Sequence, residues 1–235
     1  MKTGNHADKC LSFVSCQINP QAKLWRPHAK PPPVVTISRQ TGTGAMAVAE
    51  ELAAFLQASQ AKPCHWAIFD KNLVAQVLED HKLPKEVARF MSENRISAIQ
   101  DAVEELLGLH PPTKTLLELS SETILRLAHL GHGIFIGHAA NIITRDLPNA
   151  FHVRLIAPQE LRIEQIMARD SLGRKAAVEF IRKSDLGRQR FLEDHFHADI
   201  DDPLQYDLVL NCARLPQREV AQLIGEAVVY WTKRQ

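Results

Sequence analysis

The sequence predicts an α/β fold with a parallel sheet, because short apolar runs alternate with helical patterns along the chain. Five apolar runs recur at wide spacing, at residues 34–37, 66–69, 133–136, 151–156 and 207–210. Such continuous runs are typical of strands that are buried on both faces. The wide spacing leaves room for the crossover helices that parallel strands require. We therefore expect a five-stranded parallel sheet as the middle of three layers.

Helical patterns fill the intervals between these runs. The interval from residue 69 to residue 133 is too long for one crossover helix, so we expect an inserted helical subdomain there. Proline and glycine separate its segments. The predicted helices span residues 47–58, 72–80, 84–91, 92–107, 115–130, 159–169, 173–196 and 217–232.

Length and charge limit what the chain can be. Its 235 residues, 45% of them hydrophobic, fit one α/β domain with an inserted subdomain better than two independent domains. The near balance of 28 basic and 27 acidic residues argues against a general nucleic-acid or membrane-surface binder. No apolar stretch approaches the roughly 18 residues of a membrane-spanning helix. We expect neither a nucleic-acid polymer nor a membrane as a partner, and no motif indicates an oligomeric state.

The cysteines and the N-terminal segment predict a cytoplasmic protein with a mobile arm. The cysteines show no C-x-x-C pairing, so we expect free thiols in a reducing cytoplasm: Cys10, Cys16, Cys64 and Cys212. Residues 1–33 are mostly basic among their charges and end in three consecutive prolines. They lack the compact apolar region of a signal peptide. We therefore expect an arm over residues 1–33 and the folded domain over residues 34–235.

A Gly/Thr turn between the first strand and the first helix predicts phosphate binding. Backbone N–H groups in such a turn, together with the positive end of the following helix, can cradle a phosphate chain. On the pattern G-x-x-x-x-G-K-[ST], Ala45 takes the lysine position and Met46 takes the Ser/Thr position. The alternative is a Gly-rich turn without a ligand, since strand-to-helix turns of this kind also occur in proteins that bind nothing there.

Six motifs occur in an order that resembles one known family. They are ISRQTGTG at residues 37–44, FDK at 69–71, IGHAAN at 136–141, LIAPQELR at 155–162, KSDLGR at 183–188 and YDLVLN at 206–211. Together they resemble the cytidylate kinase-like family, whose members are relatives of the nucleoside monophosphate kinases. The resemblance implies a P-loop kinase fold, with a nucleoside-monophosphate-binding insertion at about residues 70–115 and a lid at about residues 171–196.

The resemblance also implies a reaction. Such kinases use ATP with Mg²⁺ and transfer a phosphoryl group to a nucleoside monophosphate, here with CMP or dCMP as the acceptor. Two anionic phosphate chains must approach each other while water is excluded, so these enzymes supply positive charge and closure. Nucleotides are accordingly the expected partners.

The turn residues are the first set of site residues that the resemblance implies. The family's own loop lacks the lysine, and Arg39 is the candidate substitute cation, since a guanidinium binds phosphate oxygens through two N–H groups. The alternative for Arg39 is a brace between the loop and a neighbouring carboxylate. Thr41 or Thr43 could offer a hydroxyl to Mg²⁺, although turn propensity also explains both. The phosphate-binding residues would be Ser38, Gln40, Thr41, Gly42, Thr43 and Gly44.

A second set of residues would act on the donor side and in the lid. Arg162 matches the arginine that lies over the donor base in related kinases, and its alternative is a surface ion pair. Lys183 and Arg188 would close over the phosphoryl bridge while Asp185 orients an arginine. Arg182 and Arg190 would assist in the lid. The alternative for each of these charges is a solvated helix face.

A third set would hold the acceptor. Asp70 ends the second strand, where the carboxyl ends of parallel strands line a ligand crevice, although Asp-Lys is also a good helix start. His138 stands where the family has an arginine near the acceptor phosphate, and Asn141 follows it in the same motif. His195 and His197 suggest a metal site only weakly, because a third ligand at a suitable spacing is missing.

Three positions depart from the family pattern and support a second hypothesis. Ala45 replaces a glycine, Met46 replaces a basic residue and His138 replaces the arginine. Each change removes a close backbone approach or a permanent positive charge. In an active enzyme, Arg145, Arg162 and the lid cations would have to compensate. The alternative is a nucleotide-binding sensor or regulatory module with weak or no catalysis.

Overall fold

A computed structural model describes residues 31–59, 65–70 and 113–234. Five parallel strands form one sheet: β1 (Val34–Arg39), β2 (Ala67–Phe69), β3 (Gly133–Ile136), β4 (Ala150–Ile156) and β5 (Leu208–Asn211). Their order across the sheet is β2-β3-β1-β4-β5. The predicted parallel α/β sheet is confirmed.

Six helices accompany the sheet in the described ranges. They are α1 (Ala45–Ala58), α2 (Thr113–Leu130), α3 (Ala140–Ile143), α4 (Gln159–Asp170), α5 (Arg174–Phe196) and α6 (Gln217–Arg234). A 3₁₀ turn at Pro203–Gln205 precedes β5. The helices that the sequence predicts after residue 113 and before residue 59 are present with bounds that differ by two residues or fewer at each end.

The helices cover both faces of the sheet, as a three-layer arrangement requires. Val35 and Ile37 point from β1 into a cluster formed with α1 and α6. On the opposite face Phe69 and Phe135 stack with ring centroids 5.0 Å apart, and Ile124 of α2 packs in the same cluster. Alternate residues of β1 are therefore buried on opposite faces, which accounts for its continuous apolar sequence.

The sheet order places the β1–α1 loop at the expected ligand position. β1 lies between β3 and β4, and the chain runs to β2 on one side before it crosses to β4 on the other. Ligands of open α/β sheets bind outside the carboxyl ends of the strands where the order reverses. Residues 40–44 occupy this position.

Some predictions fall on residues outside the described ranges. These are the arm up to residue 30, almost all of the predicted insertion at about residues 70–115, and the helices over residues 72–107. Pro31, Pro32 and Pro33 are described, and Asn149 Nδ2 donates to the Pro32 carbonyl at 2.7 Å. None of the helices that the structure describes combines the length and apolar character needed to cross a bilayer.

Candidate active site

The loop over residues 40–44 is built on two glycines with left-handed backbones. Gly42 has φ +89° and Gly44 has φ +75°, which are conformations that other residues adopt only with strain. A Cβ at Gly42 would also come within 2.6 Å of the Arg162 carbonyl oxygen. Gly44 is the N-cap of α1 and offers no side chain to the first N–H groups of that helix. The loop therefore has a defined shape that leaves backbone donors for a ligand.

Hydrogen bonds within the site hold this loop. Gln40 N–H donates to the Leu155 carbonyl, and Gln40 Oε1 accepts from Ala157 N–H, both at 3.0 Å. The Thr43 hydroxyl donates to the Gln40 carbonyl at 2.9 Å. Since the hydroxyl hydrogen of Thr43 is used in this way, its lone pairs stay available to a cation.

Asp185 joins the loop to α5. Its Oδ1 accepts from both the N–H and the hydroxyl of Thr41 at 2.8 Å. Its Oδ2 pairs with Arg162 Nη1 at 2.6 Å, and Oδ1 also pairs with Arg188. Burial alone would raise the pKa of Asp185, but the Thr41 hydrogen bonds and the two guanidinium groups outweigh it and lower the pKa below its ordinary value.

Arg162 lies against the loop and is almost fully buried. Its Nε donates to the Ala157 carbonyl at 3.1 Å, and its Nη1 donates to the Thr41 carbonyl at 3.2 Å. Together with the Asp185 carboxylate, these two carbonyl groups give the Arg162 guanidinium three partners within the protein. Arg162 and Asp185 together therefore position Thr41.

A small cavity of about 60 Å³ lies between the loop and α5. Three guanidinium groups line it, from Arg39, Arg154 and Arg188. Sequence reasoning missed Arg154, although a charged residue within the apolar run at residues 151–156 was a signal. The predicted phosphate ligand Ser38 faces this region, and its Oγ accepts from Arg154 Nη1 at 2.9 Å.

A larger cleft of about 450 Å³ opens on the other side of the loop. Gly42 and Thr43 line it, together with Leu161 and Gln165 of α4 and the segment from residue 212 to residue 217. Its volume lies in the range of small-ligand sites. Cys212 is a free thiol at its wall, and burial raises the pKa of that thiol to about 11.

The predicted lid cations are less close to the loop than Arg188. Arg182 Nη2 and Lys183 Nζ both pair with Glu179 Oε1, at 2.8 and 3.6 Å, on the exposed side of α5. Arg190 is also exposed. The structure brings Asp185 and Arg188 to the loop and leaves the other three charges on the helix surface.

The predicted acceptor residues lie at the ends of β2 and β3. His138 Nε2 hydrogen-bonds to the Asp70 carbonyl at 3.1 Å. Gly137, His138 and Ala139 have consecutive positive φ angles of 81°, 57° and 53°. Two of these residues are not glycine, and such strain concentrates at functional sites. Asn141 is buried, and its Nδ2 has no hydrogen-bond partner in the described structure.

The departures from the usual phosphate-loop pattern have clear structural places. Ala45 begins α1 and is buried in the core cluster, whereas Met46 is 36% exposed. Neither position supplies a charge. Among the described residues, no three His, Cys, Asp or Glu side chains converge as a metal cluster would require.

Comparisons with known proteins agree with the fold and with the motifs. A cytidylate kinase of Staphylothermus marinus is 29% identical over 104 residues, which cover 44% of this chain and 58% of that relative. An uncharacterized protein from Eubacterium ventriosum superimposes with a TM-score of 0.62 at 16% identity, over 84% of this chain and 98% of its own. A gluconokinase from Sinorhizobium meliloti superimposes with a TM-score of 0.51 at 12% identity, over 88% of this chain and 97% of its own.

The sequence pattern of one family covers most of the chain. The pattern described as the cytidylate kinase-like family matches residues 34–214, from the first strand to the segment after β5. The solved gluconokinase structure shares the fold of this chain. The chain belongs to the cytidylate kinase-like family.

Proposed function

We propose that this protein is an ATP-dependent kinase that transfers a phosphoryl group to a nucleoside monophosphate, with a cytidylate-like acceptor. The observation that carries the proposal is the loop at residues 40–44, which Asp185 ties to Arg162 and Arg188. Family membership and the relative named cytidylate kinase support the choice of acceptor.

The donor nucleotide would use both the loop and the larger cleft. The cleft of about 450 Å³ suits a base and a ribose, and it reaches Gly42 and Thr43. The phosphate chain would then follow the loop N–H groups and the start of α1. The Thr43 hydroxyl would hold Mg²⁺, and that ion would supply positive charge to neutralise the donor phosphates.

Arginines would supply the charge that a loop lysine gives elsewhere. Arg39 and Arg188 line the small cavity beside the loop, so we place both between the donor's transferred phosphoryl group and the phosphate of the acceptor. Arg162 positions the loop through Thr41 and Asp185. To stack on the donor base, it would have to exchange these contacts. Lys183 and Arg182 would likewise leave Glu179 when the lid closes.

The acceptor would bind at the ends of β2 and β3. Asn141 Nδ2 is a buried donor that a ligand oxygen could satisfy. His138 and Asp70 are already hydrogen-bonded across the two strand ends. We therefore assign Asp70, His138 and Asn141 to the acceptor nucleotide.

A second candidate function is nucleotide binding without useful turnover. The observation that favours it is the chemistry at the start of α1, where Ala45 is buried and Met46 is apolar. Backbone N–H groups can bind a nucleotide with these two side chains in place. Neither side chain can stabilise negative charge on the phosphoryl group during transfer.

One experiment separates these functions. ATP and Mg²⁺ are incubated with each nucleoside monophosphate in turn, product diphosphates are quantified, and nucleotide binding is measured directly by calorimetry. The kinase proposal predicts a cytidine diphosphate product. Tight ATP binding with no transfer to any acceptor would support the second function, and a lack of nucleotide binding would exclude both.

A further inference from the structure

Arg154 is a buried cation that the sequence did not assign to the kinase site. It lies on β4, next to the central strand β1, and its side chain is only 5% exposed. A buried guanidinium is costly unless it is paired and hydrogen-bonded. Arg154 therefore needs specific partners beside the loop at residues 40–44.

Fixed contacts hold Arg154 from the sheet side. Nη1 donates to Ser38 Oγ at 2.9 Å, and the guanidinium carbon lies 5.7 Å from the centroid of the Tyr206 ring. The Tyr206 hydroxyl donates to the Ile200 carbonyl at 2.8 Å, which fixes that ring. On the other side Nη2 pairs with Asp201 Oδ1 at 2.5 Å, and the Asp201 side chain is 63% exposed. The sheet-side contacts are thus buried, and only the carboxylate of Asp201 can move away into solvent.

Arg154 shares the 60 Å³ cavity with two other arginines. Arg39 and Arg188 complete its set of guanidinium groups, and the carboxylates that line it are Asp185 and Asp201. Asp185 pairs with Arg188 in the cavity wall and with Arg162 from outside the cavity, so two guanidinium groups share its charge. The cavity is far smaller than a nucleoside site of roughly 300 Å³ or more, so its charge and size suit a single tetrahedral oxyanion.

We propose that Arg154, Arg39 and Arg188 form an oxyanion site that receives the phosphate of the acceptor, and that Asp201 covers Arg154 until this anion arrives. The identification of the anion rests on the proposed function. At position 138 this chain has a histidine, which hydrogen-bonds to the Asp70 carbonyl. Arg154 supplies a permanent positive charge to the phosphate from a different strand.

The test is a calorimetric titration of inorganic phosphate into the full chain. The phosphate loop is first filled with Mg²⁺ and a non-hydrolysable ATP analogue that has an imido bridge. Arg154→Met should weaken phosphate binding by about tenfold, the effect of losing one charge-assisted contact. Asp201→Asn should strengthen it by about threefold or more, because the competing carboxylate is gone. Arg126→Met, an exposed residue of α2 that pairs with Glu122, is the matched control and should leave phosphate affinity unchanged.

Thermal melts check that each variant is folded, and the outcomes then decide. Unchanged phosphate affinity in Asp201→Asn, or in folded Arg154→Met, would overturn the site, as would absence of phosphate binding by the wild type. If Arg154→Met does not fold, Asp201→Asn decides alone. If the ATP analogue does not bind, the proposed function fails, and the same comparison with phosphate alone still tests the oxyanion site.

Discussion

Arg39 ends β1, and its side chain lines the small cavity beside the phosphate loop. If it replaces the missing lysine, Arg39→Ala should weaken ATP binding by at least about tenfold, because one charge-assisted contact is worth about 1.5–3 kcal/mol. The measurement is calorimetric titration of ATP with Mg²⁺, with Arg126→Ala as the exposed control. An ATP affinity equal to that of the wild type would show that Arg39 only braces the loop.

Asp185 links the stability of the fold to pH. Its pKa is lowered in the folded state, so its ionised form stabilises the fold above the unfolded pKa of about 3.9. This contribution is lost as pH falls through the lower folded pKa. We expect Asp185→Asn to lower the free energy of unfolding by about 2 kcal/mol at pH 7, because two mostly buried arginines lose their carboxylate partner.

The pH dependence of the melting temperature provides the check. The wild type should lose stability more steeply than Asp185→Asn below about pH 4, so that the two curves approach each other. Parallel curves from pH 7 to pH 3 would contradict the role of the ionised carboxylate.

The contacts of individual side chains were the least predictable part of the site. Residues 38–44 could be recognised locally, because a strand, a Gly/Thr turn and a helix are adjacent in sequence. Arg154 could not be placed in the same way, since Ser38 and Asp201 are far from it along the chain. Arg162 was predicted to lie over the base of the donor nucleotide. Its hydrogen bonds to the Thr41 and Ala157 carbonyls depend on packing that no local sequence pattern encodes.

Helices α1 and α6 pack closely at Gly225. A Cβ there would lie 2.2 Å from Cδ1 of the Phe55 ring. Overpacking of this kind costs about 1–3 kcal/mol, and the higher helix propensity of alanine offsets up to about 1 kcal/mol. We therefore expect Gly225→Ala to lower the free energy of unfolding in urea by about 1–2 kcal/mol without changing ATP affinity.

A double mutant tests the assigned cause of that loss. Phe55→Leu removes the ring that a Cβ at position 225 would meet. Gly225→Ala should therefore cost less stability in the Phe55→Leu background than in the wild type, with a coupling free energy of about 1 kcal/mol. Equal losses in the two backgrounds would place the strain elsewhere.

The long, periodic helices were predictable, and the short helix α3 was not. The charged pattern at residues 173–196 predicted a helix and corresponds to α5 (Arg174–Phe196). The four-residue helix α3 is too short to show a helical period. The left-handed backbone of Ala139 also has no sequence signal, because alanine rarely adopts this conformation.

The parallel sheet followed from the sequence, but the order of its strands depended on long-range pairing. Apolar runs show that strands are buried, and they do not show which strands are neighbours. In the structure β1 lies at the centre, so its carboxyl end meets β4, α4 and α5. This arrangement brings Arg39, Arg154, Arg162 and Arg188 around one loop, where we expect these arginines to support phosphoryl transfer without a loop lysine.

Transfer of a labelled phosphoryl group shows whether this loop supports catalysis. ATP labelled at the γ-phosphate is incubated with CMP, Mg²⁺ and the full chain, and labelled cytidine diphosphate is quantified. The wild type should form the product. Gly42→Ala should form labelled product at least about tenfold more slowly, because the new Cβ would meet the Arg162 backbone. Gly173→Ala should keep the activity, since no atom lies within 4 Å of a Cβ there. Labelled product at equal rates from all three proteins, or no product from a wild type that binds ATP, would contradict phosphoryl transfer at this loop.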